Sequence, residues 1–259
     1  MLSEQFAFHN HALVNFVGGG GKTALIHRLM NEYAGNGTAL CTTTTRLHPP
    51  AYEEGFSFIS GVTPSLLRQA LERIGRTCTG NNYKIVAAGR FMSANLALGV
   101  PTDFISLMDR KLFPVFLNEA DGAAGFSLKL YRENEPVLMS GAEYLVPVIG
   151  IDCIGKTLGP DTALRWRELS QKFALREGDL ITPQLASAIF MHPHGACRDW
   201  NPGTKIIPFI NKVDSEALEP IAKNLAGLIL NNGNFPVERV LIGSALNGSA
   251  VSITASENP

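Results

Sequence analysis

The sequence is short of charge excess: 22 Lys and Arg face 23 Asp and Glu in 259 residues, a formal net charge of -1, with charged residues at only 17%. That balance excludes a cationic groove for nucleic acid, which binds by neutralising phosphates. Cysteine is scarce too. Cys41, Cys78, Cys153 and Cys197 stand far apart with no C-x-x-C pair, which excludes a zinc knuckle and a disulfide framework and suits a reducing cytoplasm. No apolar run approaches the ~20 residues of a membrane helix, and the N-terminal stretch before Ala12 lacks the basic region of a secretion signal. What remains is 45% hydrophobic, which argues against disorder and for one sizeable core. The expectation is a soluble, cytoplasmic single domain over residues 1–259, with neither nucleic acid nor membrane as partner.

The hydrophobic pattern alternates between strand and helix periods. Ala12 to Val17 reads as a strand, four glycines and Lys22-Thr23 follow, and Ala24 to Tyr33 reads as an amphipathic helix. Thr38 to Thr45, rich in β-branched residues, closes a βαβ unit. Helix (Pro64 to Ile74), strand (Tyr83 to Ala88), helix (Thr102 to Leu112) and buried strand (Pro114 to Asn118) continue the rhythm. The middle is less regular: Ser127 to Tyr131 and Glu143 to Ile149 read as strands, Asp161 to Phe173 and Pro183 to Met191 as helices, and residues 127–200 as an insertion or lid. Strand (Lys205 to Ile210), helix (Glu216 to Leu230) and strand (Glu238 to Ile242) restore the pattern before a frayed tail from Ser252. The fold class expected is α/β: a P-loop NTPase-like three-layer sandwich with a mostly parallel central sheet and a middle insertion.

Gly18-Gly19-Gly20-Gly21-Lys22-Thr23 lies between strand and helix, the context a phosphate-binding loop requires. Glycines let backbone N–H groups turn toward phosphate oxygens, Lys22 reaches the terminal phosphates, and the Thr23 hydroxyl suits Mg²⁺. Position 16 is Phe rather than the glycine of the longer motif, leaving the short G-x-x-G-K-T form seen in Mur ligases. Glu119 and Asp121 follow the strand PVFLN, at the carboxyl end where α/β sheets bind ligands. They are the candidate metal and catalytic acids beside Lys22, with Glu119 favoured for the metal; an acidic turn is the plainer alternative. Asn211, Lys212 and Asp214 follow the strand KIIPFI and resemble the N-K-x-D motif by which GTPases read guanine. Ser244 and Ala245 resemble the second base-contacting element, so GTP is favoured over ATP. The plainer alternative is a turn in which Asp214 or Ser215 caps a helix. Thr44 and Thr45, with Arg46 after them, read either as phosphate contacts or simply as good strand sequence. His192-Pro193-His194 is a loop pair, because proline breaks the helix that two ligands would share.

Taken in order, VNFVGGGGKT, TTTTR, EADGAAGFSLK, ENEPV, VIGIDCIGKTLG, HPHG and FINKVD resemble the YqeC family, described as selenium-dependent molybdenum hydroxylase accessory proteins. The resemblance implies a P-loop nucleotide-binding protein in molybdoenzyme maturation, with a molybdenum hydroxylase or its cofactor carrier as partner. By resemblance Lys129, Glu135-Pro136-Val137 and Arg165 fall on family segments, while Leu164 stands where the family carries histidine. Lys129 and Arg165, in the irregular middle, read either as cations of a lid over a polyanionic ligand or, for Arg165 on the helix ALRWRELS, simply as a solvated charge. The expected function is a Mg²⁺-dependent NTPase serving as maturation factor. The alternatives are an ATP-dependent transferase or ligase, or a non-hydrolysing binder of a nucleotide or a molybdopterin dinucleotide.

Overall fold

The computed structural model describes residues 1–50, 55–78 and 82–255. In chain order its helices are α1 (Leu2–Phe6), α2 (Lys22–Tyr33), α3 (Pro64–Thr77), α4 (Trp166–Phe173), α5 (Pro183–Phe190) and α6 (Glu219–Leu230). The strands of the first half are β1 (Ala12–Gly18), β2 (Ala39–Thr43), β3 (Ser57–Ser60), β4 (Lys84–Ala88), β5 (Phe91–Ser93), β6 (Leu96–Ala97) and β7 (Val115–Glu119). Those of the second half are β8 (Leu128–Lys129), β9 (Tyr144–Gly150), β10 (Ala163–Leu164), β11 (Lys205–Ile206), β12 (Phe209–Asn211), β13 (Arg239–Ser244) and β14 (Ser249–Thr254).

One sheet of ten strands organises the molecule, in the order β14-β13-β12-β9-β1-β7-β2-β4-β3, with β11 also paired to β9. Every pairing in it is parallel except β13 with β14. The central strands read as continuous apolar runs because both faces are covered. In β9, Tyr144, Val146 and Val148 pack with Leu25, Ile26, Leu29 and Met30 of α2, whereas Leu145 and Ile149 pack with α5 and α6 residues such as Ile189 and Leu225. On that second side, farther along the sheet, Leu67 and Leu71 of α3 cover Leu40 and Phe116. Alternate residues of a strand thus serve two helical layers.

Several elements differ from the sequence reading. Tyr144–Gly150, read with the middle segment, is a central strand beside β1, so the core sheet draws on that segment as well as on both chain ends. Thr102 to Leu112 is no α-helix. It is a run of turns with bonds from Phe104 to Pro101 and Met108 to Ile105, ending in a 3-10 turn. Its buried Phe104, Ile105 and Met108 have helical spacing, which turns satisfy equally. The helix read from Asp161 begins at Trp166, after the two-residue pairing of β10 with β8 and a left-handed Arg165. Pro208 interrupts the strand read from Lys205. The tail read as frayed from Ser252 is β14 as far as Thr254, hydrogen-bonded along β13; residues 256–259 lie outside the described residues.

Candidate nucleotide site at the carboxyl edge of the sheet

β1 ends at Gly18, and the loop through Gly21 threads between neighbouring backbones. Gly18, Gly20 and Gly21 have φ of 100°, 75° and 105°, left-handed values that suit glycine. Space forbids side chains as well. A Cβ on Gly18 would stand 2.2 Å from the Val148 carbonyl oxygen, and one on Gly20 2.1 Å from the Gly150 nitrogen. The N–H groups of Gly19 and Gly20 donate to the carbonyls of Val148 and Phe126, each at 2.9 Å, and that of Gly18 to Asp121 Oδ2 at 2.9 Å. These bonds fix the loop. The N–H groups of the first turn of α2 have no carbonyl four residues back within the helix, and with the dipole they favour an anion.

Lys22 and Thr23 open that helix and face the acids. Lys22 is 3% exposed; its Nζ donates to Gly18 O at 2.6 Å and lies 2.9 Å from Asp121 Oδ1 and 3.6 Å from Glu119 Oε1. Burial works against its charge, but Asp121 and Glu119 outweigh burial and raise its pKa. The Thr23 hydroxyl donates to Glu119 at 3.1 and 3.2 Å, which puts a hydroxyl and a carboxylate, both hard oxygen donors, side by side. Burial pushes the Glu119 carboxyl up; Lys22 draws it down, Asp121 adds to the rise, and the balance is upward. A cavity of about 130 Å³ lies here, lined by Gly20 to Thr23, Glu119 and Ala123 to Phe126. That space is ample for a phosphate group.

Asp121 does not share Glu119's position. It is 1% exposed beneath the loop, gripping the Gly18 N–H, Lys22 and, through Oδ2 at 3.1 Å, Lys129 Nζ. Lys129, 4% exposed, also donates to Gly122 O at 2.7 Å and Glu135 Oε2 at 3.1 Å and stands 4.4 Å over the Tyr131 ring. Arg165 closes the series on Glu135 at 3.0 and 3.1 Å. Lys129 and Arg165 are therefore members of a chain of alternating charge, Lys22–Asp121–Lys129–Glu135–Arg165, buried as far as Lys129 and partly buried beyond it, and not solvent-facing cations of a lid. The carboxylates recruit them because an unpaired buried charge is far costlier than a paired one.

The candidate base-reading residues gather two strands away. Asn211, 3% exposed at the end of β12, donates its amide to Gly20 O at 2.7 Å and accepts the Ala245 N–H at 2.9 Å. One side chain thus ties the glycine loop to the end of β13. The Ser244 hydroxyl donates to Asp214 Oδ1 at 2.5 Å and accepts the Asn247 N–H at 3.0 Å, holding an exposed carboxylate at the edge. Lys212, at φ 66°, sends its amine to Ser127 Oγ and Asp152 Oδ2. Thr44 and Thr45 do not line the phosphate-sized cavity: the Thr44 hydroxyl donates to Val137 O and Thr45 Oγ1 bonds Thr43 Oγ1 at 3.1 Å. Sequence reasoning missed Ser127 and Asp152. The available signal was Gly150 directly after a buried strand, where a Cβ would stand 2.4 Å from Ser127 Oγ and 2.5 Å from Asp152 Oδ1.

Other chemistry-bearing residues are accounted for structurally. Cys41, Cys153 and Cys197 are buried, and burial pushes their thiols up, Cys153 to about 12, the opposite of an activated thiol. His192 accepts the His194 N–H at 3.0 Å. Among the described residues no cluster of three or more His, Cys, Asp or Glu is placed to hold a metal, and no helix is long and apolar enough to cross a membrane.

Compared with known proteins, residues 14–167, more than half of the chain, match the family model described as YqeC protein. A curated relative from Escherichia coli (strain K12), described as uncharacterized protein YqeC, is 25% identical over 221 residues, covering 82% of this chain and 83% of the relative.

Proposed function

The chain belongs to the YqeC family, and from the geometry of its glycine loop we propose that it is a P-loop NTPase that binds a nucleoside triphosphate with Mg²⁺, GTP in preference to ATP. The observation that carries this reading is the meeting of Lys22, Thr23 and Glu119 around a phosphate-sized cavity at the start of a twelve-residue helix. The residues present fit Mg²⁺: Thr23 and Glu119 would hold it through two hard oxygen donors of the kind this ion prefers. When bound, the ion neutralises charge on the phosphates. Lys22 leaves Gly18 O and Asp121 for the phosphate oxygens, while the backbone bonds of Gly18, Gly19 and Gly20 keep the loop in shape. Asp121 serves the loop from below.

Guanine is favoured because Asp214, exposed and oriented by Ser244, is suited to accept from N1–H and the 2-amino group, donors that adenine lacks in that arrangement. Asn211 supports the same reading by locking the base end to the phosphate end. In this proposal nucleotide turnover drives maturation of a selenium-dependent molybdenum hydroxylase or its cofactor carrier, the role the family resemblance implies.

A second reading, ATP-dependent transfer to a small acceptor, draws on a neighbouring cavity of about 270 Å³ that shares the wall Ala124 to Phe126 with the phosphate cavity. Titration of the full chain with GTP, ATP and CTP, with and without Mg²⁺, tests the proposal. Mg²⁺-dependent GTP binding and slow hydrolysis without an acceptor are expected. Lys22→Ala should weaken GTP roughly 100-fold, about 2.7 kcal/mol, the scale of a charge-assisted contact. Unchanged affinity in that variant removes the phosphate-loop reading. Binding without turnover, restored by a small acceptor, promotes the second reading; binding with no turnover under any condition leaves a nucleotide-binding module.

A further inference from the structure

We infer that Ser127 and Asp152 are positioning residues for base recognition, holding Lys212 so that its alkyl stem forms one wall of the base site. The inference rests on the guanine reading above and extends it to residues outside the N-K-x-D segment.

Lys212 is held in a posture that a lysine does not adopt unaided. Its φ of 66° lies in the left-handed region, where a non-glycine residue persists only if its surroundings over-determine it. The surroundings do so on both sides. Asn211 before it is fixed to Gly20 O and the Ala245 N–H, and the Val213 N–H after it donates to Gly243 O at 3.0 Å. The amine is caught at the far end, 2.9 Å from Ser127 Oγ and 3.0 Å from Asp152 Oδ2, while Ser127 Oγ donates to Asp152 Oδ1 at 2.5 Å. Ser127 is itself placed by its neighbour Phe126, whose carbonyl takes the Gly20 N–H. The lysine therefore spans from the end of β12 to the segment that covers the phosphate loop.

The chemistry of that span matters for what the ligand meets. Both Asp152 oxygens are used, one by Ser127 and one by Lys212, with Lys156 a third, more exposed group 3.7 Å away. Burial raises the Asp152 carboxyl, but the bonds from Ser127 and Lys212 outweigh it and hold the group below its ordinary value, so the carboxylate stays ionised. With its charge met by Asp152, Lys212 offers a nucleotide its four-carbon stem rather than a phosphate-seeking amine. A flat stem wall rewards a base and is indifferent to phosphates. Gly150 permits the arrangement, since any larger residue would collide with Ser127 Oγ and Asp152 Oδ1.

The test compares GTP, ATP and inorganic tripolyphosphate by calorimetry with Mg²⁺ on the full chain. In Asp152→Asn, which keeps shape and removes charge, GTP should bind about tenfold more weakly and the GTP-to-ATP ratio should fall, while tripolyphosphate stays within about twofold of wild type. A purely structural role would weaken tripolyphosphate in parallel, and that result overturns the inference. So does an unchanged GTP-to-ATP ratio in a variant whose parent discriminates. A wild type that does not discriminate GTP from ATP sinks the guanine reading itself, before any variant is made. If Asp152→Asn does not fold, Ser127→Ala and Lys212→Met carry the same test. Where it does fold, adding Lys212→Met should cost nothing more, because both remove one tether; additive losses overturn the proposal.

Discussion

The two ends of the candidate site lie on one edge of one sheet and are built on opposite electrostatic plans. At the phosphate end, Lys22, Asp121 and Lys129 are each under 5% exposed and continue into Glu135 and Arg165. At the base end the buried groups are neutral, Asn211 and Ser244, while the carboxylates, Asp214 and Asp152, are exposed and half-buried respectively. A neutral amide contributes about 1 kcal/mol and fails gently, whereas a buried ion that loses its partner is left uncompensated at roughly 3–5 kcal/mol. Under the proposed function the phosphate end would exchange counter-ions when an anion arrives, and the base end would act as a fixed gauge.

The comparison breaks most sharply at Asp121. Asp121→Ala leaves Lys22 and Lys129 facing each other's charge without a common partner and should destabilise the chain by roughly 3–5 kcal/mol in urea unfolding. Adding Lys129→Met should return part of that loss; no recovery would mean the chain of charges is not an energetic unit. Next in size, Glu119→Gln should keep the fold and nucleotide binding in EDTA but abolish the gain from Mg²⁺, and a variant with an undiminished Mg²⁺ effect would move the metal elsewhere. Asp214→Asn follows, with at least a tenfold GTP preference, about 1.4 kcal/mol, passing to xanthine nucleotides whose C2 carbonyl suits an amide. If Asp214 is only a helix cap, the substitution is silent, because Asn caps as well as Asp.

The smallest effect is one of pH. Burial pushes the Glu135 carboxyl up, but Arg165 and Lys129 more than offset it and hold it below the usual glutamate value. A group depressed on folding adds stability that is complete above its unfolded pKa and is lost as pH falls through its folded one. Unfolding free energy should therefore drop below about pH 4.3 more steeply in wild type than in Glu135→Gln. Parallel curves would mean Glu135 contributes nothing by its charge.

Much of this edge was legible in the chain. The glycine loop between a strand and a helix, the acids after PVFLN and the order of the last strands all follow from local rules of periodicity and turn chemistry. What escaped was non-local. Tyr144–Gly150 reads as an isolated strand in an irregular stretch, and only pairing with β1 makes it central. Asp121 and Glu119 look equivalent two residues apart, yet the strand ends at Glu119, and the turn beyond sends Asp121 under the loop. The buried spacing of Phe104, Ile105 and Met108 serves turns as well as a helix, and β14 is a strand only because β13 is there to pair with it. Asp152 lies in the string VIGIDCIGKTLG, but nothing in that string points to its partner, a lysine 60 residues away.

The charge chain that begins at Lys22 ends at Arg165, and the next residue is Trp166, half-buried against the core that α5 and α6 cover, with Arg167 4.7 Å over its ring. The chain has two tryptophans, and the other, Trp200, is pinned by its indole N–H to Thr204 O. Indole emission shifts with the field of nearby ions. If the loop takes a phosphate as proposed, drawing Lys22 from Asp121 should alter the charges along this largely buried line, and a shift in Trp166 emission is the expected label-free readout of loop occupancy.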